Sequence, residues 1–158
     1  MEPNINKLLS FENQGHWISE SAMNYKEYFG FLYLVKNNPL EKYYIGMKQY
    51  KREGKKRNKF YGKESNWKSY TGSSSSLKED ITKLGIENFS FICLKEYYTR
   101  GGLKYGEANL QHKLDVLVAV NNSGERLFYN NSIEMIRYIP KEYYNLTTRK
   151  VIDNEASH

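Results

Sequence analysis

Two runs rich in aromatic and β-branched residues, "FGFLYLV" and "KYYIGMKQY", flank the short stretch "NNPLE" at residues 37–41. Such side chains favour extended backbone, and asparagine and proline supply a turn. A connection this short obliges the second run to fold back antiparallel to the first. The hairpin commits the chain to a sheet, and "ENFSFICLKEYY" supplies a third strand, alternating around Phe89, Phe91 and Cys93. In "TGSSSSLKEDITKLG" a serine caps a helix from near Leu77 to Gly85, a residue suited to the left-handed cap. "RGGLKYGEANLQHKLDVLVAV" reads as a longer helix, with Leu103, Leu110, Leu114 and Leu117 near one face.

These elements predict one α+β domain, a small three-stranded antiparallel sheet flanked by helices, over residues 29–133 of 158. Residues 1–28 read as an N-terminal arm in which "WISESAMNYKEY" forms one short helix. Residues 134–158 read as a short helix broken at Pro140, then a polar tail. A single cysteine, Cys93, rules out an internal disulfide and reads as a small buried hydrophobe in a cytoplasmic protein. The N-terminus lacks the blocks of a signal peptide, and no run is long enough to span a membrane.

Lys and Arg number 24 against 18 Asp and Glu, a net charge of +6. That excess favours a polyanion, nucleic acid first, although on charge alone a merely soluble basic protein fits equally well. The charge is concentrated. Residues 50–68, "YKREGKKRNKFYGKESNWK", hold eight Lys or Arg against two Glu, with Phe60, Tyr61 and Trp67 interleaved. Glycines and the lack of a period predict an exposed loop.

Taken in order from about Gly30 to Asn131, these features resemble the GIY-YIG endonuclease family. The first half-motif stands as Phe31-Leu32-Tyr33 and the second intact as Tyr44-Ile45-Gly46, with ten residues between the two tyrosines. "NWKSYTGSSSSLKEDITKLGIENFSF" is similar to the version in phage-encoded and homing-type relatives. "YGEANLQ" places Glu107 at the family's metal-binding glutamate, and "FYNNS" places Asn130 at its structural asparagine.

The resemblance implies hydrolysis of DNA phosphodiester bonds with one divalent ion, Mg²⁺ or Mn²⁺, held by Glu107 and waters. Tyr44, with Tyr33 beside it, is then expected to orient the nucleophile or relay a proton, since a free phenol near pKa 10 is a poor base. Gly46 is expected to let the backbone turn away and leave room for phosphate. Tyr70 fills the slot of a family histidine or tyrosine. Two departures stand out. Phe31 replaces a glycine, and Asn66 stands before Trp67 where the family carries an arginine. The scissile phosphate then needs Lys48, with Lys68 second, or a loop arginine such as Arg57.

In the basic loop, Lys51, Arg52, Lys55, Lys56, Arg57 and Lys59 are expected to grip the backbone of double-stranded DNA without reading bases. Little length is left for a targeting module. The chain should cut loosely, read a site with its arm and loop, form a homodimer, or borrow a targeting partner. A phage-encoded DNA endonuclease or nickase in the host cytoplasm is the resulting expectation. Its rival, favoured by Asn66, is an inactive DNA-binding protein on the same scaffold, a masking or anti-defence protein. An RNA-directed version is a third possibility.

Overall fold

The computed structural model of the chain describes residues 5–57 and 59–133. The short helix and tail expected over 134–158 lie outside the described residues. The strands are β1 (Leu9–Ser10), β2 (Trp17–Ser19), β3 (Gly30–Asn37), β4 (Lys42–Gln49) and β5 (Phe89–Tyr97). The helices are α1 (Ser75–Leu84) and α2 (Arg100–Lys113).

The fold is α+β, but among the described residues the sheet has five strands in the order β1-β2-β5-β3-β4 and is mixed, not three-stranded and antiparallel. The expected hairpin is present, with Tyr33 opposite Gly46 and Val35 opposite Tyr44. β5 pairs antiparallel with β3, and β2 lies parallel to β5 with Trp17 opposite Phe91. The segment expected to be a helix in the N-terminal arm is therefore a strand where it begins. Tertiary pairing overrides local preference here, because Trp17 gains complete burial among Phe31, Tyr33 and Phe91.

Strand alternation sorts the side chains onto two faces. Trp17, Phe31, Tyr33, Val35, Phe89 and Phe91 form one core with Trp67 and with Leu77 of α1. Leu32 and Ile45 form the other with Leu103 of α2 and the buried run Val116–Val118. Ser74 caps α1 by accepting from the Leu77 amide at 3.2 Å, and Gly85 ends it at φ 87°. Thr99 caps α2 by accepting from the Gly102 amide at 3.0 Å. α2 stops at Lys113, short of the expected Val120. Asp115 takes a positive φ of 55°, and Leu114 turns outward instead of joining the apolar face.

Candidate active site

β4 is an edge strand, and its outer edge changes character along its length. Tyr43 is paired there: its amide donates to the Leu127 carbonyl at 2.9 Å and its carbonyl accepts from the Tyr129 amide at 2.7 Å. At Ile45 an asparagine side chain replaces the neighbouring strand. Asn130 Oδ1 accepts from the Ile45 amide at 3.0 Å, and Asn130 Nδ2 donates to the Ile45 carbonyl at 2.8 Å. Arg126 secures that asparagine by donating to the Asn130 carbonyl and to Asn131 Oδ1. Beyond Ile45 the edge opens into two adjoining clefts that share Met47.

Tyr33 and Tyr44 are diagonal neighbours on the aromatic face, their ring centroids 6.1 Å apart. Gly46, directly opposite Tyr33, makes this possible. A Cβ on Gly46 would collide with the Tyr33 hydroxyl. Gly46 lies within the regular strand, so its missing side chain houses a phenol and does not serve a tight turn. Tyr33 is buried, and its hydroxyl shares a hydrogen bond with Tyr70. Tyr44 is half-buried and pairs its hydroxyl with Ser73 Oγ at 2.8 Å.

Burial raises all three phenols above the usual tyrosine range, Tyr33 well above it, and the Glu107 carboxylate adds to each shift. All three are therefore neutral hydroxyls at pH 7. Glu107 comes from α2 on the opposite face of the sheet, yet its charge is felt by all three, because the site wraps the rim of β4. Gly106 allows this placement. A Cβ there would strike the Tyr97 hydroxyl, so α2 packs closely on β5. Tyr44, Glu107, Gln111, Asn130 and Ser73 line one cleft of about 460 Å³.

The second cleft is lined by Lys48, Arg52, Asn66, Phe60 and Tyr70, among others. Lys48 Nζ sits 4.0 Å from the Tyr70 ring centroid. Burial, and then the charge of Arg52, lower its pKa. Lys68 points elsewhere, with its Nζ 3.7 Å from Glu64. Trp67 is fully buried, although its segment was expected to be an exposed loop. Its basic part is exposed, on a stem closed by Arg52 and Lys63, whose amide–carbonyl bond is 2.7 Å. Lys51, Lys55, Lys56, Arg57 and Lys59 are spread over that exposed part. Arg52, Lys59 and Lys63 surround the Phe60 ring at 5.2, 4.9 and 5.8 Å. His112 is exposed.

Sequence reading missed the support of Tyr70. Trp17 Nε1 donates to the Trp67 carbonyl at 2.6 Å, the His16 amide to the Lys68 carbonyl at 3.2 Å, and the His16 ring bonds the Tyr70 carbonyl at 2.9 Å. These contacts join residues about fifty positions apart, and no local pattern signals them. Gln111 was missed as well, although its place one helical turn after Glu107 was legible.

The sheet rim thus carries neighbouring tyrosines, and a helix-borne glutamate reaches it from the other face. The family model described as "Putative endonuclease segE, GIY-YIG domain" matches residues 14–133. The chain belongs to the GIY-YIG endonuclease family. No curated protein and no solved structure gives a match. Among the described residues no helix is long and apolar enough to cross a membrane.

Proposed function

We propose that this chain is a metal-dependent DNA endonuclease or nickase whose chemistry occurs at the open end of β4. The observation that carries this reading is convergence. Three neutral phenols, Lys48 and Glu107 reach one stretch of strand edge from both faces of the sheet.

The donor chemistry bears on the cation. Among the described residues no group of three or more His, Cys, Asp or Glu side chains could hold a metal ion. Among the described residues lining the cleft, Glu107 is the one carboxylate, beside Lys104 and the neutral oxygens of hydroxyls and amides. That set fits Mg²⁺, which dehydrates reluctantly, keeps several waters and needs one or two carboxylates beside substrate phosphate. Mn²⁺ takes the same hard oxygen donors. When bound, such a cation supplies an acidified water and charge for the phosphate oxygens.

The chain's own groups do the rest. Tyr44, held by Ser73, presents a neutral hydroxyl that orients the nucleophilic water or relays its proton to solvent in the open cleft. Tyr33 and Tyr70, hydrogen-bonded to each other, fix the wall behind it. Lys48 answers the charge on the scissile phosphate in place of the family arginine. Arg52, on the same cleft, is the nearer partner for that task than Arg57 or Lys68. The exposed basic loop holds double-stranded DNA through its phosphates, with affinity that falls steeply with salt.

The test is supercoiled plasmid at low salt, with Mg²⁺ or with EDTA, beside Glu107→Ala. Mg²⁺-dependent nicking that the variant lacks supports the enzyme. Asn66, where the family has arginine, favours a second reading in which the chain binds DNA without turnover. A mobility shift with no nicking under either condition would support that reading instead.

A further inference from the structure

Gln111 is almost fully buried, 4% exposed, and its side chain is committed at one end only. Its Nε2 donates to the Ile45 carbonyl at 3.1 Å. A carbonyl accepts and cannot donate, so this bond fixes which end of the amide is nitrogen. Oε1 is the other end of the amide, with less than 1 Å² exposed and no hydrogen-bond partner among the described residues. A buried acceptor left without a partner is uncommon and calls for a cause.

Its position supplies one. Gln111 follows Glu107 by four residues on α2, so the two side chains stand on one helix face one turn apart. Both line the cleft that also holds Tyr44 and Ser73. We infer that Gln111 Oε1 is a second protein oxygen donor to the divalent cation held by Glu107. This rests on the reading of Glu107 as the residue that holds the cation. The remaining oxygens of the cleft are neutral hydroxyls and amides, so Gln111 adds a ligand without adding charge.

The amide has a second consequence. The Ile45 carbonyl that takes Gln111 Nε2 also takes Asn130 Nδ2. The edge of β4 therefore holds the donor in place: Ile45 orients the amide, and the amide presents its oxygen to the cation. Asn130 is a positioning residue in this arrangement, acting through Ile45.

The test is direct binding of Mn²⁺, read as loss of the free-ion signal in electron paramagnetic resonance, on the full chain without DNA. Gln111→Met keeps the shape and removes both polar ends, and is expected to weaken binding by about ten-fold or more. Gln111→Glu gives up the bond to the Ile45 carbonyl but adds a charged oxygen on the cleft, and is expected to tighten binding by about ten-fold. Because the two variants shift affinity in opposite directions, misfolding cannot imitate the result. Circular dichroism in EDTA checks that each variant is folded. Binding that needs Glu107 but is unchanged in both Gln111 variants overturns the inference and leaves the nuclease reading standing. Binding unchanged in Glu107→Gln, or no binding by the wild-type chain, overturns the assignment of Glu107 and the inference with it.

Discussion

The two faces of the sheet differ in kind. One is aromatic and hydrogen-bonded: Trp17, Trp67, Tyr33 and Tyr50 carry polar atoms that must be satisfied inside the core. The other is largely aliphatic, Leu32, Ile45, Leu103 and Val116–Val118, and asks only for volume. The aromatic face holds the phenols at fixed positions through bonds between distant segments. The aliphatic face is a seat for α2, which delivers Glu107 and Gln111. Neither face holds the whole of the proposed site. They meet at the rim of β4, where Gly46 leaves room for the Tyr33 phenol on the aromatic side.

Trp17→Ala would break the comparison most severely. It should cost about 3–5 kcal/mol in chemical denaturation, as large aromatic truncations do, and it leaves the Trp67 carbonyl with the Tyr70 amide as its remaining donor. Nicking should fall beyond the loss of folded protein, because Tyr70 loses its support. Leu103→Ala is the matching change on the aliphatic face, at about 2–5 kcal/mol. If nicking per folded molecule falls equally in both, the faces are not functionally distinct.

Glu107→Ala should lower the nicking rate by about 10²–10³-fold or more with little change in melting temperature. Lys48→Ala should cost a similar or somewhat smaller factor. Lys48→Arg should recover part of it, since the task is positive charge toward phosphate.

Two pH effects sharpen the picture. Burial and Arg52 lower the Lys48 pKa, so the lysine loses its charge at lower pH than an exposed one. The pH–rate profile should fall on the alkaline side before the ordinary lysine range, and Arg52→Gln should move that limb upward. The smallest effect concerns His16, whose pKa is lowered by burial against an opposing bond from Tyr70. A depressed folded pKa means the unfolded chain binds the proton more readily. Stability is then present above the unfolded value of about 6.5 and is lost as pH falls through the folded value. Thermal melts across that window should show the loss, and His16→Phe should flatten it.

Local features of the sequence determined a good deal. The hairpin, the ends of α1 and the span of β5 were legible because strand composition, a serine cap and a C-terminal glycine act within a few residues. The two half-motifs and Glu107 were legible as an ordered set of residue types. What Gly46 is for was not, since that depends on the residue directly across the strand. Nor was the path of residues 14–19: Gln14, His16 and Trp17 belong to the core only because β2 lies parallel to β5. Parallel pairing joins segments more than seventy residues apart, and no neighbouring side chain records it. Lys48 stood out in the sequence by its place just past Tyr44-Ile45-Gly46, but Arg52 and Lys68 read alike as members of one basic segment. Only the tertiary structure sent Arg52 to the cleft beside Lys48 and Lys68 to Glu64, because a side chain's direction follows from the backbone it leaves and the partners it meets there.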